Sequence, residues 1–302
     1  MQYVFLVNTH AGQGAQLSAL RTAVEALPEK AACVIHETAA PREATSFVRE
    51  YAAAHPGPIR FIACGGDGTI NEVFEGAVGL PDVSVTCYPC GSGNDFVKCF
   101  GGKDAFLDVA ALLHAPEQPL DLLKVNDRYC VNITNFGFDT HVAVTMNNVR
   151  RKKLIGGKNA YTTGVITALC KGMRNKCTVT ADGEKLNDGV MLLCTVANGQ
   201  YVGGAFRCAP RAVWNDGLMD VCLVKPISRL RFVKLLGPYT NGEHLDDPQF
   251  RDIIVYRRAK AVDVTAAPGF AYSLDGEIIY SEQFHIEIVP GALRFAVPAA
   301  KA

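Results

Sequence analysis

The run Cys64-Gly65-Gly66-Asp67-Gly68-Thr69-Ile70-Asn71-Glu72-Val73 constrains this chain more than any other, because it sets three glycines and a carboxylate between an apolar run and an amphipathic helix. Arg60 to Cys64 reads as the end of a buried strand. Thr69 followed by Glu72 has the pattern of a capping box, and Ile70, Val73, Phe74 and Ala77 share one helical face. Glycines without Cβ let the backbone approach a ligand, while the orphan N–H groups and dipole of a new helix favour negative charge. The turn therefore reads as a phosphate site. Asp67 would repel a bare phosphate, so an intervening metal ion is expected. An ordinary strand-to-helix turn needs one glycine and not three.

A second segment repeats the logic. Val83 to Tyr88 alternates like a strand, and Pro89-Cys90-Gly91-Ser92-Gly93-Asn94-Asp95-Phe96 follows as a glycine-rich turn with a hydroxyl, an amide and a carboxylate. Tyr3 to Val7 is a third apolar strand, followed by the loop Asn8-Thr9-His10-Ala11-Gly12-Gln13-Gly14. Each later loop alone is also consistent with a plain connection. Together they predict loops side by side at the carboxyl ends of parallel strands, where open α/β sheets bind ligands.

Residues 1 to about 120 alternate strand and helix: Tyr3–Val7, a helix near Gln16–Leu27, Cys33–His36, a helix near Arg42–Ala54, Ile59–Ala63, the helix after Gly68, Val83–Tyr88 and a helix through Leu107–His114. This predicts a doubly wound α/β nucleotide domain. Beyond Pro116 and Pro119, short strand-like runs are separated by Asn126-Asp127, Asp182-Gly183 and Asp275-Gly276: Leu122–Val125, Tyr129–Phe136, Lys176–Ala181, Gly189–Ala197, Met219–Val224, Ala261–Thr265 and Phe284–Val289. They predict a mostly antiparallel β-sandwich over 121–289. A helical insertion, Tyr161 to Met173, lies between Arg150-Arg151-Lys152-Lys153 and Lys171, Arg174 and Lys176. It reads either as a membrane-surface element or as a core helix beside a solvated charge run.

With 30 basic and 30 acidic residues and 49% hydrophobic content, nothing favours nucleic-acid binding. No apolar stretch approaches the roughly 20 residues that span a bilayer, and Met1 to Val7 has no basic leader. A cytoplasmic protein, peripheral at the inner membrane surface, is expected. Eleven irregularly spaced cysteines read as reduced, small apolar residues. Cys87-Tyr-Pro-Cys90 has no second pair to make a metal site, and no histidine spacing points to zinc.

Gly65-Gly66-Asp67-Gly68-Thr69 with Asn71-Glu72-Val73, then Gly91-Ser92-Gly93-Asn94-Asp95-Phe96, resembles the diacylglycerol kinase catalytic-domain family, which includes bacterial soluble lipid kinases and sphingosine and ceramide kinases. Ala197-Asn198-Gly199-Gln200-Tyr201-Val202-Gly203-Gly204, Asn215-Asp216-Gly217-Leu218-Met219-Asp220 and Leu274-Asp275-Gly276-Glu277 match its bacterial members. Thr9 and Ala11 stand where the family commonly has proline and serine, and Ser92 replaces a common threonine. The resemblance implies an NAD-kinase-like nucleotide domain, a tail (290–302) that packs back on it, and a β-rich lipid acceptor domain. It implies ATP as phosphate donor, Mg2+ as cofactor and diacylglycerol as the acceptor, giving phosphatidic acid. Partners expected are a membrane lipid, met by transient contact, and a second copy of the chain in a homodimer.

The same resemblance assigns the site. Gly66, Gly68, Thr69, Gly91, Ser92, Gly93 and Asn94 line the phosphates, with Asn8, Asn71 and Glu72 in the binding set; Asp67 acts through magnesium and Asp95 supports it. Phosphoryl transfer also needs a group to take the acceptor hydroxyl's proton. Both Asp182-Gly183-Glu184 and Asp275-Gly276-Glu277 are ordinary hairpin turns by composition. The family pattern selects Asp275 as base and Glu277 as a magnesium holder through water. It also implies a structural magnesium at Asp216, the Leu218 carbonyl and Asp220, where a β-turn with solvated acids is the plain reading. An NAD kinase shares the Gly-Gly-Asp-Gly-Thr turn but not the second loop. A dinucleotide-dependent oxidoreductase would need a third glycine where Leu17 stands. A non-catalytic lipid-binding regulator should have lost Asp67 or Asp275, and both are present.

Overall fold

In the first third of the chain, apolar runs bounded by glycine and proline alternate with amphipathic stretches, and a parallel sheet results. The computed structural model describes residues 1–11, 15–151 and 172–299. The chain divides into two units: Met1–Leu122 with Trp214–Gly217 and Val289–Ala302, and Leu123–Val213 with Leu218–Ile288. In the first unit, β1 (Gln2–Asn8), β2 (Cys33–Thr38), β3 (Ile59–Gly65) and β4 (Val83–Pro89) pair in parallel in the order β2-β1-β3-β4. Every residue of β3 and β4 is buried, as a sheet covered on both faces requires.

Helices α1 (Ala15–Glu25), α2 (Glu43–Ala54), α3 (Asp67–Ala77) and α4 (Val109–His114) make those covers. The α2 and α3 backbones approach closely at Gly76, where a Cβ would lie 2.8 Å from the Thr45 carbonyl oxygen. The returning chain completes the unit. Phe295 pairs with Val85, Thr86 Oγ1 donates to the Ala296 carbonyl (2.8 Å), and Phe295 packs with Phe74, Phe96, Phe100 and Phe106. Asp121, 2% exposed, accepts the amides of Gly217 and Gly291 (2.7 Å each), so one carboxylate ties both returning segments to the strand that leaves the unit.

The second unit is a pair of antiparallel sheets. One contains β13 (Ile254–Ala259), β12 (Met219–Val224), β11 (Leu193–Ala197), β7 (Ile133–Gly137), β15 (Ala271–Leu274) and β16 (Glu277–Tyr280), in that order. The other runs β10 (Val190–Met191), β8 (Asn175–Ala181), β14 (Ala261–Ala266), then the first part of β17 (Gln283–Ala296), joined by β5 (Glu117–Val125), β6 (Arg128–Cys130) and β9 (Glu184–Lys185). Leu123, Phe136, Val179, Val196, Val221, Val262, Phe284 and Ile286 fill one core drawn from both sheets. Helix α5 (Phe138–Arg151) and helix α6 (Arg229–Thr240) are further elements of this unit; Phe138 and Phe232 pack with Leu193 and Val224.

Several expected boundaries shift for local reasons. The strand expected over Tyr129–Phe136 is broken at Val131-Asn132, whose amides turn to the Asp275 carboxylate instead of a neighbouring strand. Phe284–Val289 and the tail form one long strand, with Gly291 at φ 59. Helices α5 and α6 were not expected from the sequence. The insertion Tyr161–Lys171 lies outside the described residues, as does Lys152-Lys153. Among the described residues, no helix is long and apolar enough to cross a membrane.

Candidate active site

The end of β1 and the loops after β3 and β4 meet because their strands are neighbours, and the glycines of the latter two loops make the meeting possible. A Cβ on Gly91 would lie 2.5 Å from Gly66 Cα, so the two glycine-rich loops pack backbone to backbone. The Cys90 amide donates to the Gly65 carbonyl (2.8 Å). A Cβ on Gly65 would fall 2.3 Å from Thr69 Oγ1, and that hydroxyl accepts from Asn8 Nδ2 (3.0 Å). Asn8, Gly66, Thr69 and Gly91 thus form one cluster, bridging the β1/β3 position where the strand order reverses.

Helix α3 starts earlier than the capping-box pattern implied. Gly66, in extended conformation, is its N-cap; the Ile70 amide donates to the Gly66 carbonyl, and no side chain caps the helix. Thr69 lies in the first turn, with its hydroxyl committed to Asn8. A helix end capped by glycine presents its amides without a competing side-chain oxygen, which suits an anion. Gly68 and Ser92 are exposed, Gly93 is half-buried and Asn94 is buried, with Asn94 Nδ2 donating to the Gly91 carbonyl (2.7 Å). Asn71 and Glu72 sit further along α3, in the helix rather than in the loop.

Asp67 is half-buried, not a freely solvated turn residue. Its Oδ1 accepts the amides of Asp95 (2.6 Å) and Phe96 (3.3 Å), so it caps the 3₁₀ helix Phe96–Phe100 from the neighbouring loop. The Asp95 side chain makes no capping bond to that helix and instead meets Lys98 Nζ at 2.6 Å. Burial, and then the charge of Asp95, push the Asp67 carboxyl up. A Cβ on Gly93 would stand 2.8 Å from Asp67 Oδ2 and 3.5 Å from Asp95 Oδ2. Two carboxylate oxygens face a space kept open by glycine, and each opposes the other's charge. This hard, oxygen-only donor set fits Mg2+. Among the described residues no three or more His, Cys, Asp or Glu side chains are grouped so that they could hold a metal ion by themselves.

Asp275 and Glu277 lie in the second unit. Asp275 Oδ2 accepts from the amides of Val131 (2.9 Å) and Asn132 (3.2 Å), and Oδ1 from Ile133 (2.8 Å). That bend carries the Asn198-Gly199 motif, since both of their amides donate to the Asn132 carbonyl and Asn198 Nδ2 donates to that of Val131. Glu277 pairs with Arg128 (2.9 Å) at the exposed end of the hairpin. Asp216 is exposed in a segment of the first unit, while Leu218 and Asp220 belong to the second. Asp220 is 1% exposed; its Oδ1 accepts from the Tyr256 hydroxyl, and Arg258 Nε stands 3.9 Å from Oδ2.

Three charged residues escaped the sequence reading. Lys98 had a signal, its i,i+3 spacing from Asp95. Arg128 had none, because its partner Glu277 is distant in the chain. Asp139, in the first turn of α5, has its carboxyl pushed up to about 6 by burial. Cys87 and Cys90 are buried thiols with raised pKa, the latter about 11, and neither is in a disulfide.

Two family profiles cover nearly the whole chain: the diacylglycerol kinase catalytic domain over residues 2–125 and the YegS C-terminal NAD kinase beta sandwich-like domain over 132–297. The chain is 30% identical over 259 residues to a "Probable lipid kinase YegS-like" of Alcanivorax borkumensis, covering 85% of this chain and 84% of that protein. It is 28% identical over 296 residues to one of Chromohalobacter salexigens, covering 96% and 92%. In fold it is similar to the crystal structure of a diacylglycerol kinase from Bacillus anthracis, with a TM-score of 0.70 over 98% of this chain and 96% of that one, at 21% identity.

Proposed function

Because this chain belongs to the diacylglycerol kinase catalytic-domain family, in its YegS-type two-domain form, we propose that it is an ATP-dependent lipid kinase acting on a lipid hydroxyl, with diacylglycerol as acceptor and phosphatidic acid as product. The observation that carries the reading is the packing of Gly66 on Gly91, which sets the glycine-capped start of α3 beside the second glycine loop and both beside Asp67. Such a cluster holds a polyphosphate by backbone amides. NAD kinase chemistry remains the competing outcome.

The residues divide the work. The start of α3, Gly91 and Asn94 orient the phosphates. Asp67 and Asp95 would hold Mg2+, which neutralises phosphate charge when bound. Asp67 also fixes the second loop through its two amide bonds, so the cation holder and the phosphate loop are positioned together. Asp275, immobilised by three amides, is proposed to take the proton of the acceptor hydroxyl, with Glu277 near the metal's water shell. A structural Mg2+ at Asp216, Leu218 and Asp220 is a separate proposal, tested by whether Asp216→Asn abolishes any magnesium-induced rise in unfolding midpoint. The protein is proposed to act at the inner surface of the membrane that holds its lipid.

The test is incubation of the purified chain with radiolabelled ATP, Mg2+ and diacylglycerol, sphingosine, ceramide or NAD. Label in phosphatidic acid is expected, and label in NAD alone overturns the reading. Asp67→Asn should remove turnover while keeping or raising the unfolding midpoint without metal, because asparagine can still accept the two amides and no longer carries a buried charge beside Asp95. Turnover near that of the parent with unchanged magnesium dependence would take Asp67 out of the chemistry.

A further inference from the structure

Asp67 and Asp95 use their oxygens alike. In each, Oδ1 is taken by a donor of the protein: the amides of Asp95 and Phe96 (2.6 and 3.3 Å) for Asp67, and Lys98 Nζ (2.6 Å) for Asp95. In each, Oδ2 lies toward the space that a side chain at residue 93 would fill, 2.8 Å from the position of a Cβ on Gly93 for Asp67 and 3.5 Å for Asp95. One oxygen anchors each carboxylate, and the other is presented beside Gly93.

The anchors differ in kind. Asp67 is held by main chain, through amides at the start of the 3₁₀ helix Phe96–Phe100. Asp95 is held by the side chain of Lys98 within that helix, where three residues per turn bring residue i+3 back over residue i. The pair is sheltered, with side-chain exposures of 26% for Lys98 and 9% for Asp95, and a bond from an ammonium to a carboxylate is among the stronger hydrogen bonds of a protein. Two carboxylates that face one space repel each other, and the terminal torsion of an aspartate is soft, so Asp95 without its anchor would swing Oδ2 away from Asp67. The ammonium fixes that torsion and offsets one of the two charges.

We propose that Lys98 is a positioning residue for the divalent cation: by holding Asp95 Oδ1 it aims Asp95 Oδ2 at the space beside Gly93, to which Asp67 Oδ2 brings the other protein oxygen. The inference rests on the kinase reading for the identity of the cation, while the sharing of oxygens stands on the geometry. Lys98 need not touch the ion to set its affinity, since a group that orients a ligand tunes the metal through that ligand. Gly93 has the complementary part, because any side chain there would close the space.

Titration of the full chain with Mn2+, with and without a non-hydrolysable ATP analogue, tests it, because electron spin resonance reads bound against unbound Mn2+ without any turnover. Lys98→Met should weaken Mn2+ binding by about tenfold or more, the usual effect of removing a group that orients a metal ligand. Lys98→Arg, which keeps a cation that can donate to Oδ1, should restore most of it. In an Asp95→Asn background Lys98→Met should cost nothing further, since its effect passes through that carboxylate. Matching unfolding midpoints of the metal-free proteins show that the loss is not one of fold. Mn2+ binding by Lys98→Met equal to the parent's overturns the proposal, and tighter binding would make Lys98 a competitor of the ion. A loss in the Asp95→Asn background as large as in the parent also overturns it, leaving Lys98 a holder of the loop. Lipid phosphorylation separates this inference from the reading beneath it. A parent that binds Mn2+ with the expected dependence on Lys98 yet phosphorylates no lipid keeps the positioning role and discards the lipid substrate, whereas a parent that binds no Mn2+ in either titration overturns the cation site and the role of Lys98 together.

Discussion

The turns Asp182-Gly183-Glu184 and Asp275-Gly276-Glu277 are built alike and loaded differently. In both, aspartate and glycine take positive φ, 46° and 82° in the first, 44° and 91° in the second, as a two-residue hairpin of the twisted type requires. Each aspartate amide donates to a carbonyl of a neighbouring strand, of Ala261 in β14 and Ile133 in β7 respectively, and each glutamate pairs with an arginine, Arg257 or Arg128. Each aspartate carboxylate then accepts backbone amides. The exposed Asp182 holds Lys260 and Ala261 between two strands, whereas the half-buried Asp275 holds three consecutive amides and, through them, the Asn198-Gly199 motif. The same local sequence fixes the same geometry. What the carboxylate then does is set by the chain brought against it, and both first act as staples.

The widest separation between the twins should appear in turnover. Asparagine tolerates positive φ and Asn-Gly suits this turn, so both Asp→Asn variants should fold. If Asp275 takes the proton, Asp275→Asn lowers kcat by about 10²- to 10⁴-fold with ATP affinity little changed, while Asp182→Asn stays within about twofold. Assays at saturating ATP and lipid decide it. Equal, near-parent activity in both would reduce Asp275 to a staple and take it out of the proton transfer.

The comparison has to be made above an acid transition of the same unit. His244 is 2% exposed against Tyr239 and Phe250, and burial lowers its pKa to about 4. The unfolded chain, titrating near the ordinary 6.5, binds the proton that the folded chain refuses, so stability falls as pH drops from about 6.5 toward 4. A loss of roughly 3 kcal/mol across that window is expected. Urea midpoints measured from neutral pH to pH 4 should fall in the parent and fall less in His244→Asn; matching slopes would take His244 out of the acid response.

Truncation compares the staples themselves. Asp275→Ala leaves three amides without their acceptor in a part-buried bend and should cost about 2–4 kcal/mol, whereas the amides released by Asp182→Ala are near solvent and should cost about 1 kcal/mol. Thermal or urea unfolding of the two variants reads the difference. Similar losses would mean that the Val131–Ile133 bend is held by its other contacts.

Much of this was legible in the chain because its signals are local. Three glycines before an amphipathic helix dictate a backbone approach wherever they occur, and Gly66 on Gly91 is the result. The break at Val131-Asn132 was hidden, since nothing nearby shows that a carboxylate more than a hundred residues later draws off those amides. Asp67 is intermediate: its place in the turn could be read, but its capping of Phe96–Phe100 depends on the lateral pairing of β3 and β4. Helix α6 was missed because its apolar residues lie on two faces and blur the period, with Pro238 inside its last turn. Asp121 offered one clue, a single acid inside the apolar run Leu120-Asp121-Leu122-Leu123, whose purpose appears only when Gly217 and Gly291 return to it.

The smallest effect is reserved for the two glutamates, and it is the most discriminating in kind. Glu184 and Glu277 are both exposed and each faces one arginine, with side-chain exposures of 65% and 50%. Ion pairs this exposed contribute about 0–1 kcal/mol, so neither Glu→Gln change should move the unfolding midpoint much. Magnesium separates them. If Glu277 holds the metal's water shell, Glu277→Gln should raise the magnesium concentration needed for half-maximal turnover by several-fold, with the lipid KM unchanged, and Glu184→Gln should not. The pairing with Arg128 gives an internal control, because Arg128→Gln removes the ion pair and leaves the carboxylate. An Arg128→Gln enzyme with the same magnesium shift as Glu277→Gln would show that the pair acts only by holding its hairpin, and the two turns would then be equivalent in their glutamates as they are in their backbones.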